Sequence, residues 1–124
     1  MNWFRKLLAF FGIHKAVRWE DGVIVRGAIY ARLYAETVAW VRANAPQVPI
    51  QAPDLVATIR IYKQWPVNDG LTHYGKVLAP NTIPGDTGGT LCLLRQTRHD
   101  MALIVHECKH AVTGIPSHPA WLFN

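Results

Sequence analysis

The sequence DMALIVHECKHAVTG at residues 100–114 predicts a helix around which the rest of the chain can be arranged. Its first half is a continuous apolar run, and Thr97 and Asp100 both offer side-chain oxygens for an N-cap. Gly114 and then Pro116 end the segment, because glycine accepts the left-handed conformation of a helix terminus and proline cannot continue a helix. The expected helix is about 14 residues long, near the usual length in globular domains.

Within this helix His106 and His110 stand four residues apart, with Glu107 beside the first of them. Residues at this spacing lie on one face of a helix about one turn from each other, so both imidazoles can reach the same ion. Glu107 projects roughly 100° around the helix from His106, near the metal and free to take a proton from water. The pattern predicts a zinc site with two histidine ligands and a glutamate general base.

A catalytic zinc ion needs a third protein ligand and one open position for water. No Asp or Glu follows Glu107 in the sequence, so the downstream candidate is His118. A left-handed turn at Gly114 would let the chain return so that His118 faces the metal, and we take His118 as the third ligand. His73 and Asp86, on other elements, remain alternatives.

The motif resembles the active-site helix of the zincin metallopeptidases, whose signature is HExxH. The resemblance covers residues 97–118 and implies that His106 and His110 are zinc ligands and that Glu107 is the general base. It also implies a sheet edge beside the site, where an extended peptide or protein substrate pairs. Two features depart from the family pattern: Lys109 stands where an uncharged residue is usual, and Gly114 and His118 stand further from the helix than the turn glycine and third histidine of the histidine-type subgroup.

Hydrophobic periodicity outside the motif predicts one further helix and several strands. Residues 28–44 carry apolar side chains at helical spacing and are followed by two prolines. Residues 54–62 alternate as a half-buried strand, and a turn leads into a second strand at 71–78, which together predict a hairpin. Short strands are expected at 23–26 and 90–95. The predicted fold is α+β, with a small mixed or antiparallel sheet of three to four strands and helices on one face, including the HExxH helix.

The composition predicts one domain over the 124 residues, because 50% of them are hydrophobic and 17% are charged. The formal charge of +5 is dispersed, and the sequence has neither a run of Lys and Arg nor a recognisable binding motif. Nucleic acid is therefore not expected as the main partner.

Cys92 and Cys108 are too few for a disulfide framework, and both are expected to be packed side chains. They predict a reducing, cytoplasmic compartment.

Both ends of the chain are apolar. Residues 1–17 carry large apolar side chains every four residues, which predicts a short amphipathic helix that packs on the domain or a partner, or attaches peripherally to a membrane. Its apolar centre at 7–13 is far shorter than a membrane span requires. The tail at 119–124 is expected to pack on the domain or to dock on a protein partner.

Taken together, residues 1–124 are predicted to form a zinc-dependent hydrolase of the metallopeptidase kind. In that function Glu107 would activate water on a metal held by three histidines, and His73 or Tyr74 would stabilise the oxyanion. The alternative is a non-catalytic structural or assembly protein. In it the HExxH helix is a metal staple or ordinary core, and the apolar ends bind partners.

Overall fold

The computed structural model describes residues 19–51, 58–65 and 74–123. The described part of the chain is α+β, as predicted, with a four-stranded mixed sheet. Its elements are, in order, a 3₁₀ turn (Trp19–Asp21), β1 (Val23–Val25), α1 (Ala28–Asn44), β2 (Thr58–Tyr62), β3 (Gly75–Leu78), β4 (Thr90–Leu94), a second 3₁₀ turn (Arg95–Thr97), α2 (Met101–Thr113) and α3 (Ala120–Phe123).

The strand order is β1-β2-β4-β3, with β2 and β4 parallel and each outer strand antiparallel to its neighbour. The predicted hairpin between the second and third strands is therefore wrong, because β4 lies between them. The sequence of β4, Thr90-Leu-Cys-Leu-Leu94, is buried at every position. A strand that is apolar on both faces belongs in the interior of a sheet, and this leaves β3 at an edge.

The two faces of the sheet are covered differently. Alternate residues of β2 and β4 face the helices, and the core on that side contains Leu33, Tyr34, Val38, Val41, Ala45, Ile59, Ile61, Leu91, Leu93, Ile104, Cys108, Val112 and Leu122. The other face carries a smaller cluster of Tyr62, Leu78, Ile83, Cys92 and Leu94, against which Trp19 and Trp65 pack. Both described long helices thus lie on one face of the sheet, as expected.

Helix α1 spans the predicted residues 28–44, and its buried side chains recur every three or four positions along one face. That stripe packs against α2, whose own buried face includes Ile104, Cys108 and Val112. Burying an aliphatic side chain of this size contributes about 1.5–3 kcal/mol, so the contact between the helices holds α2 firmly in place. Helix α2 also contacts β3, and the motif therefore lies beside the edge of the sheet.

Asp86, considered above as a metal ligand, is instead committed to a buried ion pair. Its carboxylate accepts two hydrogen bonds from Arg60, at 2.9 and 3.0 Å, and a third from the Thr90 hydroxyl at 2.7 Å. Arg60 also donates to the backbone carbonyls of Glu20 and Gly22. The pair lies on the face of the sheet away from the helices, where alternation along β2 directs Arg60.

The two ends of the chain differ in what the structure describes. The predicted amphipathic segment 1–17 lies outside the described residues. The tail predicted at 119–124 contains α3, whose Leu122 is fully buried in the core, so this end packs on the domain. Within the described ranges, no helix combines the length and the apolar character that a membrane crossing needs.

Candidate metal centre

Helix α2 is capped at both ends by residues that the sequence singles out. The Asp100 carboxylate accepts a hydrogen bond from the Leu103 N–H at 3.1 Å, as an N-cap does. Gly114 adopts a left-handed conformation with φ of 69°, and its N–H donates to the carbonyl of His110. Thr97 is not the cap, because its hydroxyl donates to the backbone carbonyls of Tyr74 and Leu94. These caps fix the register that places His106 and His110 on one face.

The loop after Gly114 brings His118 back to the two histidines of the helix. The Nε2 atom of His110 lies 3.2 Å from Nε2 of His106 and 3.2 Å from Nε2 of His118. One donor atom from each of these residues lies within 4.8 Å of the others. The structure thus places together the three residues proposed as ligands, whereas Asp86 lies elsewhere and His73 falls outside the described residues.

The protonation of His110 follows from its other ring nitrogen. Nδ1 lies 2.6 Å from the carbonyl oxygen of Ile115, and a carbonyl can only accept, so Nδ1 carries the proton. Nε2 of the neutral ring then has one lone pair but faces two neighbouring nitrogens. Two nitrogens bound at ~2.1 Å to one tetrahedral ion are roughly 3.4 Å apart, close to the observed spacing. The three residues therefore fit a shared cation.

Burial lowers the pKa of both His106 and His110. Neighbouring imidazoles lower both pKa values further. The Lys109 ammonium also lowers the pKa of His106, whereas the hydrogen bond to Ile115 raises that of His110. Both rings are thus held neutral near pH 7, which is the form that binds a metal. The structure accommodates Lys109 by placing its ammonium 4.1 Å from the centre of the Trp40 ring.

Glu107 lies on the neighbouring side of the helix, against the first residue of the edge strand. It is 6% exposed, and burial raises its pKa to about 7. A Cβ atom on Gly75 would lie 2.7 Å from Cγ of Glu107, so only glycine leaves room for this side chain. A carboxyl with a pKa near neutrality can both accept and return a proton.

A cleft of about 610 Å³ opens beside these groups, a size within the range of small-molecule sites. Its lining includes Glu107, His110 and His118, together with β3 and parts of the loop that follows it. The remaining lining is mainly apolar and includes Tyr30, Tyr34, Ile59, Val77 and Leu91. The site therefore joins a potential metal centre and a buried carboxyl to an apolar cavity.

Of the other predicted residues that the structure describes, Cys108 lines the cleft, whereas Tyr74, Asp86 and Cys92 do not. Tyr74 is 53% exposed and does not line the cleft, so the structure does not support it as an oxyanion donor. Cys92 and Cys108 are buried and unpaired, as expected for packed thiols, and burial raises the pKa of each to about 12.

The sequence analysis missed Gly75 and Phe123. Gly75 falls inside a predicted strand, where nothing in the sequence marks its contact with Glu107. Phe123 belongs to the apolar tail, and its ring lies 4.6 Å from the rings of both His106 and His110, measured between centroids. Both roles depend on contacts between elements that are distant in the sequence.

No protein-family model matches the chain, and no match was found among curated proteins or solved structures. The function is accordingly argued from the residues of the site.

Proposed function

We propose that the protein is a zinc-dependent hydrolase of the zincin type, acting as a small metallopeptidase. His106, His110 and His118 would hold the ion, and Glu107 would be the general base. The observation that carries this proposal is the convergence of three imidazole nitrogens beside a buried carboxyl at the wall of a cleft. Three protein ligands with one position left for water are the usual set of a catalytic zinc site.

The donor set favours zinc among the metals that imidazole binds. The group contains three imidazole nitrogens and neither a thiolate nor a carboxylate among its members, and such a set is found in hydrolytic zinc enzymes. When bound, zinc supplies Lewis acidity and brings the pKa of water close to 7.

The residues of the chain would supply the proton transfers. Glu107 would accept a proton from the attacking water and deliver it to the leaving amine, and its pKa of about 7 suits both steps. The close contact with Gly75 would hold the carboxyl in place during this exchange. The hydrogen bond from His110 to Ile115 would keep that ring in the tautomer that ligates through Nε2.

The edge strand supports an extended peptide or protein as the substrate. Among the residues that the structure describes, strand β3 pairs with β4 alone, and it borders the cleft together with Glu107. An extended peptide can add to such an edge through main-chain hydrogen bonds, and its alternate side chains then enter neighbouring pockets. Because the cleft is mainly apolar, we propose that a large apolar side chain of the substrate occupies it.

Two variants test the proposal. Metal analysis of the purified protein should find one zinc per chain, and His106→Ala should lose it. Glu107→Gln should keep the zinc while losing cleavage of a diverse peptide library followed by mass spectrometry, by about 100-fold or more. Cleavage that is unchanged in Glu107→Gln would overturn the assignment of the base. A zinc-loaded protein that cleaves no peptide would point to the structural alternative.

Two further expectations belong to this proposal. The two buried, unpaired cysteines suit a reducing compartment, and we propose the cytoplasm. The tail offers a half-exposed Trp121 at the surface, which we propose as a contact for a protein partner.

A further inference from the structure

The three imidazoles and the ring of Phe123 form one compact group. The centroids of the histidine rings are 4.8 to 5.0 Å apart, so they form a nearly equilateral triangle. The Phe123 centroid is 4.6 Å from His106, 4.6 Å from His110 and 5.1 Å from His118. A single benzene ring therefore contacts all three imidazoles from one side of their triangle.

The core sets the position of Phe123. It ends helix α3, and the preceding residue, Leu122, is fully buried in the main core. The N–H groups of Leu122 and Phe123 both donate to the carbonyl of Pro119, at 3.0 and 3.1 Å, which closes the turn. Because its neighbour is anchored in this way, the Phe123 ring is held against the histidines.

The same distances determine on which side of the triangle an ion can lie. An ion held by three nitrogens at ~2.1 Å would lie roughly 3.2 Å from each imidazole centroid, and so about 1.5 Å from the plane of the three centroids. The Phe123 centroid is roughly 4 Å from that plane, so an ion on its side would be only about 2 Å from the ring centre. At that distance the ring would fill the fourth coordination position, so no water could bind the ion there.

The ion must therefore lie on the side of the histidine triangle away from Phe123. The residues that line the cleft indicate which way this side faces. His110 and His118 line the cleft together with Glu107, whereas Phe123 does not. The aromatic ring and the cleft thus meet the histidine triangle from different directions.

We propose that Phe123 is a positioning residue of the metal centre, which closes the back of the histidine triangle so that the open coordination position faces the cleft. This inference rests on the proposed metal site and extends it to the C-terminal helix. By covering the ring faces, Phe123 would exclude water from the ligands and restrict their rotation. Surrounding groups of this kind commonly change metal affinity by about 10–100-fold when they are mutated.

The test compares three variants of the full chain. Phe123→Ala opens the back of the triangle, Phe123→Leu restores apolar bulk there, and Trp121→Ala is the control because it truncates a half-exposed side chain of the same helix. Zinc affinity is measured by competition with a chromophoric chelator. The visible absorption of the Co²⁺-substituted proteins reports the coordination number.

We expect Phe123→Ala to weaken zinc binding by about 10–100-fold and to shift the Co²⁺ spectrum towards higher coordination, as water reaches the ion from behind. Phe123→Leu should recover most of both properties, and Trp121→Ala should match the wild type. If Phe123→Ala does not fold, Phe123→Val takes its place, because it removes the ring but keeps some apolar bulk; a Co²⁺ spectrum and affinity identical in Phe123→Val, Trp121→Ala and the wild type overturn the inference.

The outcomes also separate this inference from the proposed function. A wild-type protein that binds zinc, with Phe123→Ala equal to it in affinity and spectrum, overturns the role of Phe123 and leaves the metallopeptidase proposal intact. A wild-type protein that binds neither zinc nor Co²⁺ overturns both.

Discussion

Nδ1 of His110 donates a hydrogen bond to the carbonyl oxygen of Ile115, five residues further along the chain, over 2.6 Å. The contact joins the last turn of α2 to the loop that leads to His118. One interaction therefore sets the tautomer of one candidate ligand and the path of the chain towards another. Since Gly114 begins this loop in a left-handed conformation, the geometry of the candidate metal centre depends on a glycine outside it.

Gly114→Ala should weaken metal binding without touching a ligand. Its φ of 69° is unfavourable for alanine by about 1–2 kcal/mol, and the new Cβ would lie 3.0 Å from the Gln51 side chain. We expect both lower stability in urea and weaker zinc binding. Gly85→Ala is the matched control, because Gly85 also has a positive φ but has open space around it. Equal zinc affinity in Gly114→Ala and Gly85→Ala would contradict the prediction.

Gly75→Ala should impair catalysis while leaving the metal bound. A methyl group at this position would collide with Cγ of Glu107 and displace the carboxyl from the cleft. A displacement of about 1 Å can reduce a rate by about 100-fold, and we expect a loss of that size in kcat. Zinc content should remain that of the wild type, since the three atoms nearest to a Cβ at this position all belong to Glu107 and none to a histidine. A normal kcat with full zinc occupancy would show that Glu107 needs no such constraint.

The helices could be predicted from the sequence because their signals are local. The bounds of α1 follow from its apolar period and the prolines after it, and those of α2 from Asp100 and Gly114. The strand order could not be predicted in the same way. Residues 90–94 are continuously apolar, which is consistent with a central strand, but the chain segments on either side do not indicate which strands it joins.

The residues of the candidate site divide in the same way, into those that local spacing predicts and those that meet only through packing. The spacing of His106 and His110 predicts that they meet, because it lies within one helix. His118 was selected by elimination and by the turn at Gly114, and the structure brings it to the other two. Gly75 and Phe123 reach the site only through packing between elements, so no local pattern indicates them.

The metal-free protein should become less stable as the pH rises, because of Glu107. Its pKa in the folded state is raised by burial from 4.5 to about 7, so folding favours the protonated form. That contribution is complete below pH 4.5 and is lost as the pH rises to about 7, a change of about 3 kcal/mol. Glu107→Gln does not titrate and should lack this loss.

Urea unfolding of both metal-free proteins between pH 4.5 and 8 measures the effect. His106 and His110, whose pKa values are lowered, give a slope of the opposite sign, but they are present in both proteins. The difference between the two curves therefore isolates Glu107. Parallel curves would mean that its carboxyl is not destabilised by burial.

Asp86→Asn should destabilise the fold at neutral pH by about 3–5 kcal/mol, since it leaves Arg60 buried without its ionic partner. Arg60 lowers the pKa of Asp86, with the Thr90 hydroxyl acting in the same direction. The stabilisation by the pair is present above the ordinary pKa of 3.8 and is lost as the pH falls through the lower folded value. In urea unfolding, the gap between wild type and variant should be wide at pH 7 and should narrow in acid. A gap that is independent of pH would contradict this assignment.

Val77→Phe should change which peptides are cleaved. Val77 lies on the edge strand, packs on the helix side of the sheet and lines the cleft, so a benzyl group at this position would occupy space that we assign to a substrate side chain. We expect kcat/KM to fall by about 10–200-fold for peptides with a large apolar residue at the cleaved bond, and far less for those with alanine there. Zinc content should stay unchanged, because Val77 lies outside the histidine cluster. Lys76→Ala is the control on the same strand. Lys76 also borders the cleft, but alternation along β3 points its side chain to the opposite face, where its ammonium lies 5.3 Å from the centre of the Trp19 ring. An equal loss for large and small side chains would mean that the cleft does not select the substrate.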